Sequence, residues 1–401
     1  MTHYTPDILL NAADPDQLVA YIAQVTDRGA SDIAFSPSEP PHYKLHGRWE
    51  CDERFKRLRE NDLYTIITHM HPSLTDPKVV RTQLFEDGRL SFSTEIQDSR
   101  YRVQTGLTKG EPFLVLRPVP QQVPTIEELE LLPPAATADG SPISHEDTLR
   151  KIVGSSSGLV IVTGATGSGK STTLAAMIRH FNDTREGHIV TIEDPIEFVH
   201  RKNRSLVHQR MVGPNNDVPS FDSGVEDALR QAPDIILIGE VRDKATMTAA
   251  LSAAETGHLV FITLHTRDAA STIQRVLGFY GPGEKENIRT QFAGSLMAII
   301  SQVLIPRVKP SPTGKMRQLV AEILQPTTGL RAALRDEDRP LQTIRDAQKS
   351  TGEVGNVTMD DELYRAVKLG VVEKDSALNR AVDRTGLADR IKKDRLGGGY
   401  A

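Results

Sequence analysis

The segment Gly164–Ser171 has the sequence GATGSGKS and fits the pattern G-x-x-x-x-G-K-[ST] of a phosphate-binding loop. Its three glycines permit a tight turn in which several backbone N–H groups face one anion. Lys170 is placed to reach β- and γ-phosphates, and the Ser171 hydroxyl is placed to bind Mg²⁺. The predicted nucleotide-binding residues are Gly164, Ala165, Thr166, Gly167, Ser168, Gly169, Lys170, Ser171 and Thr172.

The sequence on either side of the loop supports this interpretation. Leu159–Thr163 (LVIVT) is a continuous apolar run and predicts a buried strand. Lys170–Phe181 predicts a helix whose N-terminus points at the phosphates, where backbone N–H groups and the helix dipole favour an anion. We therefore expect ATP and Mg²⁺ as the ligands of this segment.

The composition limits the possible classes of protein. A length of 401 residues predicts two or three domains, and 38% hydrophobic with 25% charged residues is typical of a soluble globular protein. The net charge of −5 argues against a surface that wraps nucleic acid. Cys51 is the only cysteine, which excludes an intrachain disulfide framework and a Cys₄ zinc module. No secretory signal and no apolar run of about 20 residues are visible, so we expect a cytoplasmic protein.

The N-terminal third predicts a mixed α+β domain. Asp14 and Pro15 are a helix start signal, and Gly29 follows the expected end of that helix. A second helix is predicted at Glu60–Met70. The remaining predictions are strands at Asp32–Ser36 and His42–Trp49, a hairpin over Gln83–Ile96 turning at Asp87-Gly88, and a second hairpin over Arg100–Pro118 turning at Lys109–Pro112.

Six prolines between positions 118 and 142 predict an interdomain linker, with a surface loop inside one domain as the alternative. Ser144 and Asp147 have the spacing of a helix cap. The expected boundaries are residues 1–118 for the N-terminal domain, 119–143 for the linker, 144–338 for the ATPase domain and 339–401 for a charged helical tail.

Strands and helices alternate after the linker. Strands are predicted at Leu159–Thr163, His188–Ile192, Asp234–Gly239 and Leu259–Leu264, with later candidates at Ser301–Ile305 and Gln318–Leu324. Helices are predicted between them, notably at Ser223–Ala232 and Lys244–Thr256. Continuous apolar strands separated by helices indicate a parallel sheet covered on both faces.

Acidic residues follow two of these strands. Glu193, Asp194 and Glu197 lie at the end of one strand, where parallel sheets present residues to a ligand; a solvated acidic loop is the alternative. Glu240 ends the next strand and is preceded by Gly239, so the usual Mg²⁺-binding Asp is absent there. Glu240 and Glu193 are candidates for holding Mg²⁺, partly through water, and Glu197 or Glu240 for aligning the attacking water.

Two histidines flank the strand Leu259–Leu264, which we expect to be central in the sheet. Thr263 and His265 are placed to sense the γ-phosphate through hydrogen bonds. His258 lies at the opposite end of the strand and is expected to meet a neighbouring domain or subunit. A structural role is the alternative for each histidine alone.

The phosphate loop, the acidic segment IEDPIE (192–197), the strand LIGEVRD (237–243) and the segment ETGHLVFITLHT (255–266) occur in the order seen in secretion ATPases of type II and type IV systems, which this chain resembles. The segments LRQAPDIILIGEVRD, GASDIAFS and PTTGLRAALRD are similar to the retraction-motor, or PilT-like, part of the family. The linker, residues 205–218 and the long tail resemble the DotB/TraJ branch, which serves type IVB secretion and conjugation.

The resemblance implies an α/β fold, with a RecA-like P-loop core and a smaller PAS-like α+β domain, that assembles as a hexameric ring. It implies that Arg102 and Arg117 reach the nucleotide. Together with Lys170, Glu197, Glu240 and His265, these arginines are the predicted catalytic residues. The resemblance further implies recruitment to inner-membrane secretion or conjugation machinery through protein partners, without direct nucleic-acid binding. A pilus retraction ATPase, a RecA-like nucleic-acid translocase and a non-hydrolysing scaffold are the alternatives.

Overall fold

A computed structural model provides the architecture. It describes residues 10–45, 48–71, 73–120, 122–136, 142–213, 216–336 and 356–397. The chain divides into two units, residues 1–122 with 197–199 and residues 123–196 with 200–401. The division at 122/123 falls inside the proline-rich segment.

The first unit is an antiparallel sheet with three helices. The strands are β1 Asp32–Phe35, β2 His42–Leu45, β3 Arg48–Cys51, β4 Arg89–Ile96, β5 Ser99–Thr108 and β6 Glu111–Pro118, in the order β3-β2-β1-β6-β5-β4. The helices are α1 Pro15–Asp27, α2 Glu60–Met70 and α3 Pro77–Asp87. The mixed α+β prediction for this part of the chain is confirmed.

The local predictions for the first unit have mixed outcomes. Asp14 caps α1 by accepting from the N–H groups of Asp16 and Gln17, and α2 has the predicted bounds. The hairpin turning at Lys109–Pro112 is confirmed as β5–β6. His42–Trp49 is not one strand, because β2 ends at Leu45 and β3 begins at Arg48; His46 and Gly47 lie outside the described residues.

The hairpin predicted at Asp87-Gly88 is wrong. Residues up to Asp87 form α3, which Asp76 caps and Pro77 begins, and the helix buries Val80 and Leu84 one turn apart. Gly88 ends this helix in the left-handed region at φ 71°, a conformation that glycine adopts without steric cost. The Asp-Gly pair therefore marks a helix end, and β4 instead forms a hairpin with β5.

The second unit contains a seven-stranded sheet. Its strands are β9 Gly158–Thr163, β10 His188–Glu193, β11 Leu206–Met211, β12 Ile235–Ile238, β13 Leu259–Leu264, β14 Leu296–Pro306 and β15 Arg317–Leu324, in the order β11-β10-β12-β13-β9-β14-β15. Every neighbouring pair is parallel except β14 with β15. The predicted parallel sheet is confirmed, and β13 is its central strand.

Short strands and helices complete the second unit. They are β7 Ala135–Ala136 with β8 Pro142–Ile143, a 3₁₀ turn at Glu127–Leu129, α4 His145–Val153, α5 Lys170–Thr184, α6 Phe221–Leu229, α7 Lys244–Glu255, α8 Ala269–Leu277, α9 Pro282–Ser295, α10 Thr328–Arg335, α11 Met359–Lys368, α12 Lys374–Leu378 and α13 Arg384–Gly397. None of the helices in the described ranges is both long and apolar enough to cross a membrane.

Both faces of this sheet are buried because alternate strand residues point to opposite sides. Ile161, Ile236 and Ile262 pack in one apolar cluster with residues of α7, α8 and α9. Val160 and Phe261 pack in another cluster with residues of α4 and α5. The sheet is thus held rigidly between two layers of helices, and its loop ends can position polar groups.

The segments on either side of the predicted ATPase domain also pack on this unit. Ile126 and Leu129, from the proline-rich segment, are buried in the cluster that contains α5. Leu363 in the C-terminal tail is buried with Ile305 and Val320 of the sheet. Residues 337–355, where the tail was expected to begin, lie outside the described residues.

Candidate nucleotide site

The phosphate loop joins β9 to α5 in the predicted strand–loop–helix arrangement. Gly164, Gly167 and Gly169 have φ angles of 143°, 76° and 91°, in the region that favours glycine. A Cβ at Gly164 would lie 2.3 Å from the backbone oxygen of Gln302, so no side chain fits there. Ala165 and Thr166 are exposed, and Ser171 and Thr172 are the second and third residues of α5. The loop therefore presents its backbone to a ligand at the start of a helix.

Lys170 lies against the loop that it is expected to serve. Its Nζ donates to the carbonyl oxygens of Gly164 at 2.9 Å and Ala165 at 3.3 Å, and only 9% of the residue is exposed. The same Nζ lies 3.5 Å from Nδ1 of His265. A buried ammonium at this position can offset the charge of a phosphate in the loop.

His265 connects Lys170 to Glu240. Its Nε2 lies 3.2 Å from Oε1 of Glu240, while its Nδ1 faces the ammonium of Lys170. With the Lys170 ammonium donating to Nδ1, the hydrogen on Nε2 faces the carboxylate of Glu240. The structure therefore brings the loop lysine together with Glu240 and His265, two side chains predicted at the ends of separate strands.

Glu240 is held ionised by a neighbouring guanidinium. Arg242 Nη2 donates to Glu240 Oε2 at 2.7 Å and holds the pKa of this carboxyl below its usual value, and His265 acts in the same direction. The neighbouring Asp243 caps α7 by accepting a hydrogen bond from the N–H of Thr246. Arg242 is therefore paired with Glu240 and not with Asp243.

Glu193 and Glu197 are the other acidic candidates. Strand β10, which ends at Glu193, is three places from β9 in the sheet, or about 14 Å at the usual strand spacing. Glu193 is buried and accepts hydrogen bonds from Thr191 at 2.7 Å and Gln209 at 3.3 Å. Glu197 is exposed, and residues 197–199 are grouped with the first unit. Glu193 therefore does not lie on a strand next to the one that leads into the loop.

Thr263, predicted to sense the γ-phosphate, and His258, predicted to meet a neighbouring domain or subunit, both have hydrogen-bond partners within the second unit. The Thr263 hydroxyl donates to the carbonyl oxygen of Gly239 and so ties β13 to β12. His258 Nδ1 lies 3.0 Å from the carbonyl oxygen of Ala253, at the end of α7. Of the two histidines, only His265 lies beside the loop lysine.

Arg102 and Arg117 are direct partners across β5 and β6 in the first unit, so their side chains share one face of that sheet. Arg117 Nη2 and Nε donate to Oδ1 of Asp32 at 2.7 and 2.9 Å. Asp32 is buried, while 61% of the Arg117 side chain is exposed. Two like charges opposite each other destabilise a sheet, and Asp32 offsets this cost for Arg117.

Sequence reasoning missed three polar residues that organise these sites. Asp32 holds Arg117, and the Thr163 hydroxyl accepts from the N–H of Thr266 at 2.8 Å, joining the ends of β9 and β13. Gln302 donates from Nε2 to the carbonyl oxygen of Ser168 at 2.9 Å. Of these three residues, only Asp32 lies in a segment that the sequence singled out, GASDIAFS at residues 29–36.

The chain also matches a known protein family. A family model described as "Type II/IV secretion system protein" matches residues 15–367. The chain belongs to this family. It is an ATPase, and the resemblance stated from its sequence is confirmed.

Similar relatives and structures cover most of the chain. The type IV pilus retraction ATPase PilT of Pseudomonas aeruginosa is 37% identical over 369 residues, covering 92% of this chain and 98% of that protein. The crystal structure of the pilus retraction motor PilT with bound ADP has a TM-score of 0.80 at 33% identity and covers 93% and 99% of the two chains. The Legionella pneumophila ATPase DotB has a TM-score of 0.73 at 26% identity and covers 99% of both chains.

Proposed function

We propose that this ATPase is a motor of the pilus retraction type. The main observation that supports this proposal is the similarity to PilT, which is 37% identical over 92% of the chain. The PilT structure is also more similar than that of DotB, by TM-score and by identity. These comparisons favour retraction over the secretion or conjugation role that the linker and tail suggested.

A DotB-like motor of type IVB secretion or conjugation is the second candidate. One observation favours it, since DotB aligns with 99% of this chain whereas PilT aligns with 93%. Both candidates use ATP at the same loop, so the choice between them concerns the partner machinery.

At the site, Lys170 would neutralise the transferring phosphate and Glu240 would orient the attacking water. Ser171 and Glu240 supply a hydroxyl and an ionised carboxylate, the hard oxygen donors that Mg²⁺ prefers. Mg²⁺ would offset charge on the phosphate oxygens. Strand β12 lies two places from β9, about 10 Å away, so Glu240 would act on the ion through water. Glu193, one strand further away, is not included in this set.

The motor would work as a hexameric ring, peripheral to the inner membrane through its protein partners. Arg102 and Arg117 would dock on the phosphates when the first unit closes on a nucleotide. A guanidinium that reaches the γ-phosphate only in the closed state would couple domain movement to hydrolysis.

Deletion of the gene in its own organism tests this proposal. Loss of a retraction motor should leave long, non-retracting surface pili, and re-expression of the wild-type chain, but not of Lys170→Ala, should restore retraction. Unchanged pilus dynamics together with loss of protein secretion or of DNA transfer would replace the retraction role by the second candidate.

A further inference from the structure

Gln302 lies under the phosphate loop, on a strand that sequence reasoning did not connect to the nucleotide. It belongs to β14, which runs parallel to β9 with Ser301 paired to Thr163. Gln302 therefore lies beside Gly164, where β9 becomes the loop. Its exposed fraction is only 1%.

The side-chain amide of Gln302 contacts the loop backbone directly. Nε2 donates to the carbonyl oxygen of Ser168 at 2.9 Å. Because a carbonyl can only accept, this contact fixes which end of the amide faces the loop. A Cβ at Gly169 would also lie 3.3 Å from Nε2, so the loop packs closely on this side chain.

Two buried polar atoms next to this contact are unsatisfied. Neither Oε1 of Gln302 nor Oγ of Ser168 has a hydrogen-bond partner within the described part of the chain. One atom is an acceptor and the other belongs to a hydroxyl that can donate. An unpaired buried polar group raises the free energy of this form of the loop. A hydrogen bond between these two atoms in another form of the loop would remove that cost.

We propose that Gln302 is a positioning residue for nucleotide binding. Its Nε2 holds the Ser168 carbonyl so that the loop N–H groups converge on a phosphate, and its Oε1 accepts from the Ser168 hydroxyl once a nucleoside di- or triphosphate fills the loop. The nucleotide then stabilises the loop form in which both ends of the amide are satisfied. This proposal rests on the assignment of the loop as the nucleotide site.

The test compares Gln302→Met with Gln318→Met in the full-length protein. Gln318 is equally buried, on β15, and its Nε2 also donates to backbone carbonyls, those of Glu130 and Leu319. It lies on the next strand, opposite Ile305 rather than at the loop. Titration with fluorescent ADP, steady-state kcat and KM for ATP, and thermal unfolding without nucleotide are measured for both variants.

We expect Gln302→Met to weaken ADP binding about tenfold, the scale of one lost hydrogen bond, and to lower kcat/KM at least as much. Gln318→Met should keep both values while losing comparable thermal stability. Equal ADP affinities in the two variants would overturn the proposal. Loss of ADP binding in Lys170→Ala establishes the site independently, so failure of the site assignment is recognised separately.

Two further variants guard against a folding defect. Burial at this position raises the pKa of the carboxyl introduced by Gln302→Glu, and this carboxyl can donate to Ser168 only when protonated. Its deficit in ADP affinity relative to wild type should therefore shrink from pH 8 to pH 5.5. A deficit that does not depend on pH would contradict the positioning role. Ser168→Ala should cost less affinity in the Gln302→Met background than in wild type. If the losses of ADP affinity in the two single variants add up in the double variant, Ser168 does not pair with Oε1 of Gln302.

Discussion

The carboxylate of Glu240 lies 3.2 Å from Nε2 of His265, across the neighbouring strands β12 and β13. The other ring nitrogen of His265 faces Lys170 at 3.5 Å. The acid that follows the β12 strand is thereby connected to the loop lysine through one imidazole. Since Arg242 lowers the pKa of Glu240, this carboxylate is ionised at neutral pH and is available to orient water or a hydrated cation.

Replacement of Glu240 by Gln should separate binding from hydrolysis. The substitution keeps the size of the side chain but removes its charge, so we expect ATP to bind and turnover to fall by at least about 10²-fold, the scale of one lost transition-state contact. Turnover and retained nucleotide are measured after gel filtration. Glu197→Gln is the matched comparison, and a larger loss of turnover in that variant would move the water-orienting role to Glu197.

Gly164→Ala should abolish nucleotide binding, whereas Gly167→Ala should be tolerated better. Both glycines have positive φ angles, but a Cβ at Gly164 would lie 2.3 Å from a backbone oxygen, while a Cβ at Gly167 meets nothing within 4 Å. The Gly167 variant carries only backbone strain of about 1–3 kcal/mol. Titration of both variants with ADP checks this order of affinities, and equal losses would show that steric fit at Gly164 is not decisive.

Much of the nucleotide site could be predicted because it depends on local sequence. The loop, its strand and its helix are contiguous, and apolar strands separated by helices determine a parallel sheet whose loop ends meet. The contacts of Gln302 with Ser168 and of Asp32 with Arg117 join residues 134 and 85 positions apart. Such contacts depend on strand order, which neither periodicity nor spacing reveals.

The errors in the first unit have a similar cause. Asp-Gly is favoured both in a hairpin turn and at a helix end, since both need a residue with positive φ. The helical spacing of Val80 and Leu84 and the Asp76-Pro77 start signal decide between these structures at Gly88. In the second unit, the edge strand β11 was missed because its polar residues interrupt the apolar pattern that identified the inner strands.

Arg102→Ala and Arg117→Ala should differ in their effect on stability. Both should lower turnover more than ATP affinity if the arginines act in the closed, reacting state. Arg117→Ala also leaves the buried carboxylate of Asp32 without this partner, which we expect to cost about 1–3 kcal/mol of unfolding free energy. Urea unfolding and steady-state kinetics of each variant test this, and normal turnover in both variants would exclude the arginines from catalysis.

His200 should make the protein sensitive to mild acid. Burial lowers the pKa of His200 to about 4, while the unfolded chain titrates near its ordinary value of 6.5. Below pH 6.5 the unfolded state therefore binds a proton that the folded state does not, and stability falls by up to about 3 kcal/mol as the pH approaches 4. His200→Phe should flatten this dependence in urea unfolding between pH 7.5 and 4.5. Replacement of the exposed His208 by Phe is the control. If the stability of His200→Phe depends on pH as steeply as that of the wild type, His200 is not the cause of the acid sensitivity.

The most direct test of the ring-motor account is the ATP turnover per subunit, measured over a range of protein concentrations together with the sedimenting mass. We predict a particle of six chains in the presence of ATP and Mg²⁺, turnover per subunit that rises as this particle forms, and no turnover in a folded Lys170→Ala protein. A monomer that hydrolyses ATP at a constant rate per subunit at every concentration, unaffected by Arg102→Ala and Arg117→Ala, would contradict the account.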